Sequence, residues 1–189
     1  MTWRPDLSRR YEEPFTVEVA AVVSDAEIAD ILRLPGAPTG LTPKGLCKLI
    51  RDEFFTVLVA TSDFVCAYDS AEDSGIMTGV TGALIARIRP GEDFSHNDLD
   101  WGEFGGANVC EIQAMPVAGD VDRADNTDNA TEVRTRLLQF LTKCRRDFAI
   151  DVIRAVVETL DKDSLGLFEH VGFEEGNRSP QFISMIHLG

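Results

Sequence analysis

The stretch that decides the fold is residues 151–173, DVIRAVVETLDKDSLGLFEHVGF. Its first part, residues 151–158 (DVIRAVVE), is apolar at most central positions, as a strand covered on both faces requires. A short helical pattern over residues 164–171 follows, and Gly172 closes it, because glycine enters the left-handed conformation that ends a helix without a Cβ clash. A buried strand that runs directly into a short capped helix belongs to an α/β arrangement, and the upstream sequence identifies what it joins.

Before that strand, Val133, Leu137, Leu141, Cys144 and Phe148 place one apolar residue about every turn of a helix ending near Phe148. Earlier still, across a polar loop, residues 109–117 (VCEIQAMPV) read as a strand. Strand, helix, strand over this distance predicts a right-handed parallel crossover. Residues 64–68 and 77–88, joined by an acidic, glycine-containing connection, predict an antiparallel hairpin. Thr42-Pro43 pairs a capping hydroxyl with proline at the first helical position, and Leu46, Leu49, Ile50, Phe54 and Leu58 then recur at helical spacing. Residues 15–23 (FTVEVAAVV) predict the first strand, and Ser24-x-x-Glu27 is a capping box ahead of Ile28, Ile31 and Leu32. Residues 181–188 (QFISMIHL) supply the last strand, and no internal repeat is present.

This order, β α α β β β α β α β, resembles the GCN5-related N-acetyltransferase (GNAT) superfamily over nearly the whole chain. Asp161-x-x-Ser164-x-x-Leu167-Phe168-Glu169-His170-Val171-Gly172-Phe173 is similar to that family's Asn-x-x-Ala-x-x-Leu-Tyr-Glu-Lys-x-Gly-Phe segment. The resemblance implies one α/β domain (α+β by some schemes) over residues 1–189. Its central sheet is expected to be mixed and mostly antiparallel, with one parallel strand pair splayed at a cofactor cleft and helices on both faces. The implied activity is acetyl transfer from acetyl-CoA, as co-substrate, to a primary amine of a small molecule or protein. The implied mechanism is direct attack of the neutral amine on the thioester.

Residue by residue, the resemblance casts Glu111 as the base that takes the amine proton. It casts the backbone of Met115 and Val117 as partners of the pantetheine arm. Plain strand alternation would point Glu111, Gln113, Met115 and Val117 to one side, unless a bulge shifts the phase. The family's pyrophosphate loop, Gln/Arg-x-x-Gly-x-Gly/Ala, aligns with Asn129, Ala130, Thr131, Glu132, Val133 and Arg134, so Glu132 and Arg134 stand where glycines open the backbone to phosphate. Phe168 takes the place of a tyrosine that returns a proton to the CoA thiolate. Those departures leave a second reading, a non-catalytic module of the same fold whose degenerate cleft binds another ligand or a protein.

The formal net charge of −14 excludes phosphate-tracking nucleic-acid binding and suits a cationic or amine-bearing partner. The loop over residues 90–107 carries Asp98, Asp100 and Trp101, with Asp93, Glu103 and Phe104 beside them; the acids are expected to attract an amine and the rings to pack on its apolar part. Four dispersed cysteines and three histidines offer no metal-ligand spacing, so the cysteines are expected to be reduced core residues and no metal is expected. No apolar run is long enough to span a bilayer, and the first residues lack a signal core, which predicts a cytoplasmic protein without membrane contact. A homodimer is compatible with this reading.

Overall fold

Residues 55–67 (FTVLVATSDFVCA) are dense in β-branched and aromatic side chains, and they pair along their whole length with residues 74–90. These are β2 (Phe55–Ala67) and β3 (Ser74–Pro90), the long antiparallel hairpin at the middle of the sheet. The computed structural model describes residues 16–19, 25–51, 55–67, 74–90, 104–118 and 127–188. The other elements are β1 (Thr16–Val19), α1 (Asp25–Ile31), α2 (Pro43–Arg51), β4 (Asn108–Ala114), α3 (Thr127–Cys144), β5 (Val152–Glu158), α4 (Lys162–His170), β6 (Glu174–Arg178) and β7 (Phe182–Leu188). They form a seven-stranded sheet in the order β1-β2-β3-β4-β5-β7-β6, antiparallel throughout except for the β4–β5 pair.

Helices cover both faces, as the sequence predicts. On one face α1 and α2 bring Ile28, Ile31 and Leu46 onto Val57, Val59, Ala83 and Ile85. On the other, α3 and α4 bring Leu137, Leu141, Leu165 and Phe168 onto Leu58, Ala60, Leu84, Ala86, Ile153 and Met185. Leu58 is therefore a strand residue and not the end of a helical repeat. The second helix stops at Arg51, and residues 57–60 alternate between the two cores with the period of a strand. Thr42 does cap α2, its Oγ1 accepting from Gly45 N–H at 3.1 Å. Strand β6, EEGNR, has no counterpart in the sequence reading because it is a polar edge strand without apolar alternation; Glu175 and Arg178 join in a two-pronged ion pair along it.

The decisive segment folds as its sequence dictates. Asp161 Oδ1 accepts from Ser164 N–H at 3.0 Å, which starts α4. At the other end, Gly172 has φ +95°, its N–H donates to Glu169 C=O, and Phe173 N–H donates to Phe168 C=O, each at 3.0 Å. That pair of bonds is a Schellman closure, and the hydrophobic contact that accompanies it is the Phe168–Phe173 edge-to-face pair at 5.0 Å. Helix α3 ends at Cys144, earlier than the apolar repeat suggests, and the chain turns through Ala149 at φ +51° into β5. Asn108 fastens this turn: its N–H donates to Asp151 Oδ2 at 2.8 Å and its Nδ2 to Ala149 C=O at 3.1 Å. The starts of β4 and β5 are thereby locked together, so any divergence must come at their other ends.

Candidate active site

Strands β4 and β5 pair in parallel from Val109↔Val152 to Ile112↔Ala155, and there the pairing stops. Beyond it β4 keeps only β3, through Ala114↔Ile85, while β5 continues beside β7 to Glu158. The cleft between two parallel strands that part at their C-terminal ends is a switch point, where open α/β sheets take ligands. The sequence expectation of a parallel, splayed pair is met.

The register explains why the strands part. Ala86 faces Ile112 but Ile85 faces Ala114, so Gln113 is a bulge on β4. The bulge reverses the side-chain phase, the exception to plain alternation, so Glu111, Gln113, Met115 and Val117 do not share a side. Met115 and Val117 pack with the α3–α4 core, Gln113 is exposed, and Glu111 lies on the opposite face of the sheet.

Glu111 does not stand alone there. Arg154 Nη1 donates to its Oε1 at 2.7 Å, and Arg89 Nη2 lies 2.9 Å from its Oε2. The Arg154 side chain is 1% exposed, Arg89 11% and Glu111 16%. A guanidinium loses less hydration than an ammonium on burial and presents flat donors, which suits it to this position between strands. The neighbouring Cys110 thiol is pushed up to about 12, first by burial and then by the charge of Glu111, so it is a packed and unreactive thiol. Cys47 and Cys144 are likewise unbridged, and no group of metal-ligating residues is present among the described residues.

Two of the backbone groups assigned to the pantetheine arm are engaged within the chain. Met115 C=O accepts from Arg134 Nε at 3.4 Å, a weak bond, and Val117 N–H donates to Pro35 C=O at 3.3 Å. Pro116 has no N–H and gives its carbonyl to Ala83 N–H at 2.8 Å.

The residues aligned with the pyrophosphate motif fall in the first turns of a helix. Asn129, Ala130, Thr131, Glu132, Val133 and Arg134 are not a loop but lie within α3, which begins at Thr127. Helical geometry commits the N–H groups of 132 and 134 to the carbonyls of 128 and 130, and the first-turn N–H groups without an intrahelical acceptor are, among the described residues, those of 127–129. Side chains at 132–134 serve other ends. Glu132 pairs with Arg136 at 2.7 Å, Arg134 reaches Met115, and Val133 is buried against β3. Gly82 permits that last contact, since a Cβ there would lie 2.6 Å from Val133 Cγ1 and 3.2 Å from Val117 Cγ1.

At the mouth of the cleft, Asp161 is held below the ordinary carboxylate range by its hydrogen bonds to Ser164, with Arg134 adding to the effect. Thr159, directly after β5, keeps its Oγ1 buried without a hydrogen-bond partner among the described residues. Phe168 is 3% exposed in the core, its ring against Phe173, so its surface is spent on packing. Asp98, Asp100 and Trp101 lie outside the described residues. Phe104 is buried with Val109, Val152 and Ile186 and is a core residue, not a ring offered to an amine. Sequence reasoning missed Arg89, Arg154 and Thr159. A lone arginine inside the apolar run VIRAVV is the signal for one of them, since a charge there requires a partner.

No family model and no curated protein sequence matches the chain. Among solved structures it is similar to the NatC complex bound to Gag peptide and CoA, at 12% identity and a TM-score of 0.58, covering 94% of this chain and 99% of that one. It is similar to a Bacillus subtilis acetyltransferase in complex with CoA, at 10% identity and a TM-score of 0.54 over 93% and 99% of the two chains. A GNAT-family acetyltransferase from Listeria monocytogenes matches at 13% identity and a TM-score of 0.54 over 93% and 95%. These likenesses extend over nearly the whole chain, and what the chain shares with these acetyltransferases is their fold.

Proposed function

We propose that the protein is an acetyl-CoA-dependent N-acetyltransferase that modifies a primary amine by direct attack. The observation that carries this reading is the parting of β4 and β5 after Ile112↔Ala155, which leaves two strand edges open to an extended ligand beside the N-terminal end of α3. The first-turn N–H groups of α3 suit a pyrophosphate, which draws on the helix dipole and needs no particular side chain. Glu132 is a carboxylate near that end, but its pairing with Arg136 offsets its charge.

In the reaction the amine nitrogen attacks the thioester carbonyl carbon, the C–S bond breaks, and CoA leaves as a thiolate. The amine proton passes to Glu111 through water, using lone pairs that the two guanidinium groups leave open. Phe168 has no hydroxyl to return a proton, and water protonates the thiolate. Asp98, Asp100 and Trp101 are the proposed acceptor-binding residues.

A second reading, a non-catalytic module of the same fold, is favoured by a different observation: both oxygens of Glu111 are held by arginines, and Met115 C=O and Val117 N–H are engaged within the chain. Calorimetric titration with acetyl-CoA, followed by thiol release across a panel of primary amines, separates the two. Saturable binding with amine-dependent thiol release supports the enzyme; binding without release supports the module. No binding removes acetyl-CoA from the function.

A further inference from the structure

At the far end of α3, about 25 Å from its N-terminus by helical rise, the chain gathers positive charge that the acetyl-transfer reading does not use. Thr142, Lys143, Arg145, Arg146 and His187 line a depression of about 390 Å³ between α3 and β7. This is a concentration of cations on a chain of net charge −14. Basic residues near a helix C-terminus ordinarily hydrogen-bond its last carbonyls. Here the final helical carbonyl and the two in the turn beyond it are taken by the backbone: Cys144 C=O by Asp147 and Phe148, Arg145 C=O by Ile150, and Arg146 C=O by Ala149. None of these three needs a basic side chain as its partner.

Two nitrogens of the lining side chains lack an acceptor among the described residues. Arg145 Nη1 and His187 Nδ1 are both shielded from solvent and have no hydrogen-bond partner among the described residues. Shielded polar groups without partners are rare, and a charged donor left so is costly. Nearby acids do not answer the need. Asp151 is turned to the Asn108 N–H, and Asp147 is exposed and does not line the depression. The His187 ring is fixed edge-on against Phe173, at 5.2 Å between centroids. Burial first, and then the charge of Arg145, disfavours its protonated form, against a smaller opposing effect of the residue's own backbone. The depression thus presents two shielded nitrogens for which the described residues supply no partner.

We propose that this depression binds a compact oxyanion of the phosphate type, free or as the phosphoryl group of a small molecule, with Arg145 and His187 as inner donors and Lys143 and Arg146 at the rim. Such a group has enough oxygens to satisfy both buried nitrogens, and a planar guanidinium recognises it in a two-pronged manner.

The test is a titration of the full chain with inorganic phosphate at constant ionic strength, read from the His187 ring resonances and by calorimetry. Saturable movement of those resonances in the millimolar range or below is expected, with at least about a tenfold loss of affinity in Arg145→Gln, since one charge-assisted hydrogen bond is removed. Should Arg145→Gln fail to fold, the exposed Arg146→Gln carries the same comparison through a weaker phosphate isotherm. Linear, non-saturating movement, or the same movement with acetate at matched ionic strength, would overturn the proposal, as would affinity unchanged in both folded variants.

Discussion

Replacing Glu111 with glutamine separates chemistry from architecture at the mouth of the cleft. The carboxylate holds Arg154 at 2.7 Å and Arg89 at 2.9 Å, and the Arg154 side chain is 1% exposed. Glutamine keeps one oxygen for one guanidinium and turns an NH₂ group toward the other, so a buried ion pair is broken and the remaining positive charges repel. Removing one partner of a buried pair costs about 3–5 kcal/mol. With a urea dependence of about 2 kcal/mol per molar, the unfolding midpoint should fall by about 1.5–2.5 M. Fluorescence-monitored urea unfolding of the two proteins at neutral pH measures this. The triple variant Glu111→Leu, Arg89→Met, Arg154→Met should recover most of the loss, because a well-packed apolar cluster replaces a desolvated charged one. If Glu111 also accepts the amine proton, turnover of the folded Glu111→Gln fraction should fall by about 10²-fold or more, and the deficit should shrink at high pH as the amine loses its proton unaided. A midpoint shift below about 0.5 M, about 1 kcal/mol on the same slope, would refute the structural role. Undiminished turnover would take Glu111 out of the chemistry.

Three further outcomes follow from single contacts. Gly82→Val should drive a side chain into Val133 and Val117, costing about 1–3 kcal/mol in urea unfolding, and should weaken acetyl-CoA binding by displacing the first turns of α3. Cys110, with its thiol near 12, should resist alkylation at pH 8 in the native protein and react only once denaturant exposes it, as peptide mass mapping would reveal. Asp161→Ala should cost about 0.5–2 kcal/mol by removing the α4 cap. Because the native Asp161 carboxyl is held below its ordinary 3.8, its contribution is complete above that value and disappears as pH falls through the lower folded value; urea midpoints of the two proteins should therefore converge in acid.

What the sequence disclosed, and what it withheld, follows the range of the interactions involved. The segment from Asp161 to Phe173 was legible because its stop and start signals are local: a carboxylate three residues before the N–H it caps, and a glycine whose positive φ lets Phe173 N–H return to Phe168. The parallel crossover was legible for a similar reason, since period and length alone distinguish the two strands from the helix between them. Long-range pairing was harder to read. Nothing in EIQAMPV marks Gln113 as the bulged residue, and without the bulge the alternation rule places Met115 beside Glu111 when the sheet separates them. The end of α3 was placed too late because Phe148 continues the apolar repeat past Cys144, and β6 lacked apolar residues to betray it.

The arginines beside Glu111 show how these two scales meet. Arg154 is an isolated charge in a buried strand and Glu111 an isolated charge in another, and each is unreasonable until the parallel register sets them side by side. Glu111↔Arg154 is the pair immediately before Ile112↔Ala155, the last at which the strands remain together. Arg89 ties the same carboxylate to β3, and the Gln113 bulge begins just past it. The ion cluster thus grips three strands on the closed side of the point where the cleft opens. Whatever else Glu111 does, its position fixes how far β4 can follow β5, and so where a ligand lying along the open edges must begin.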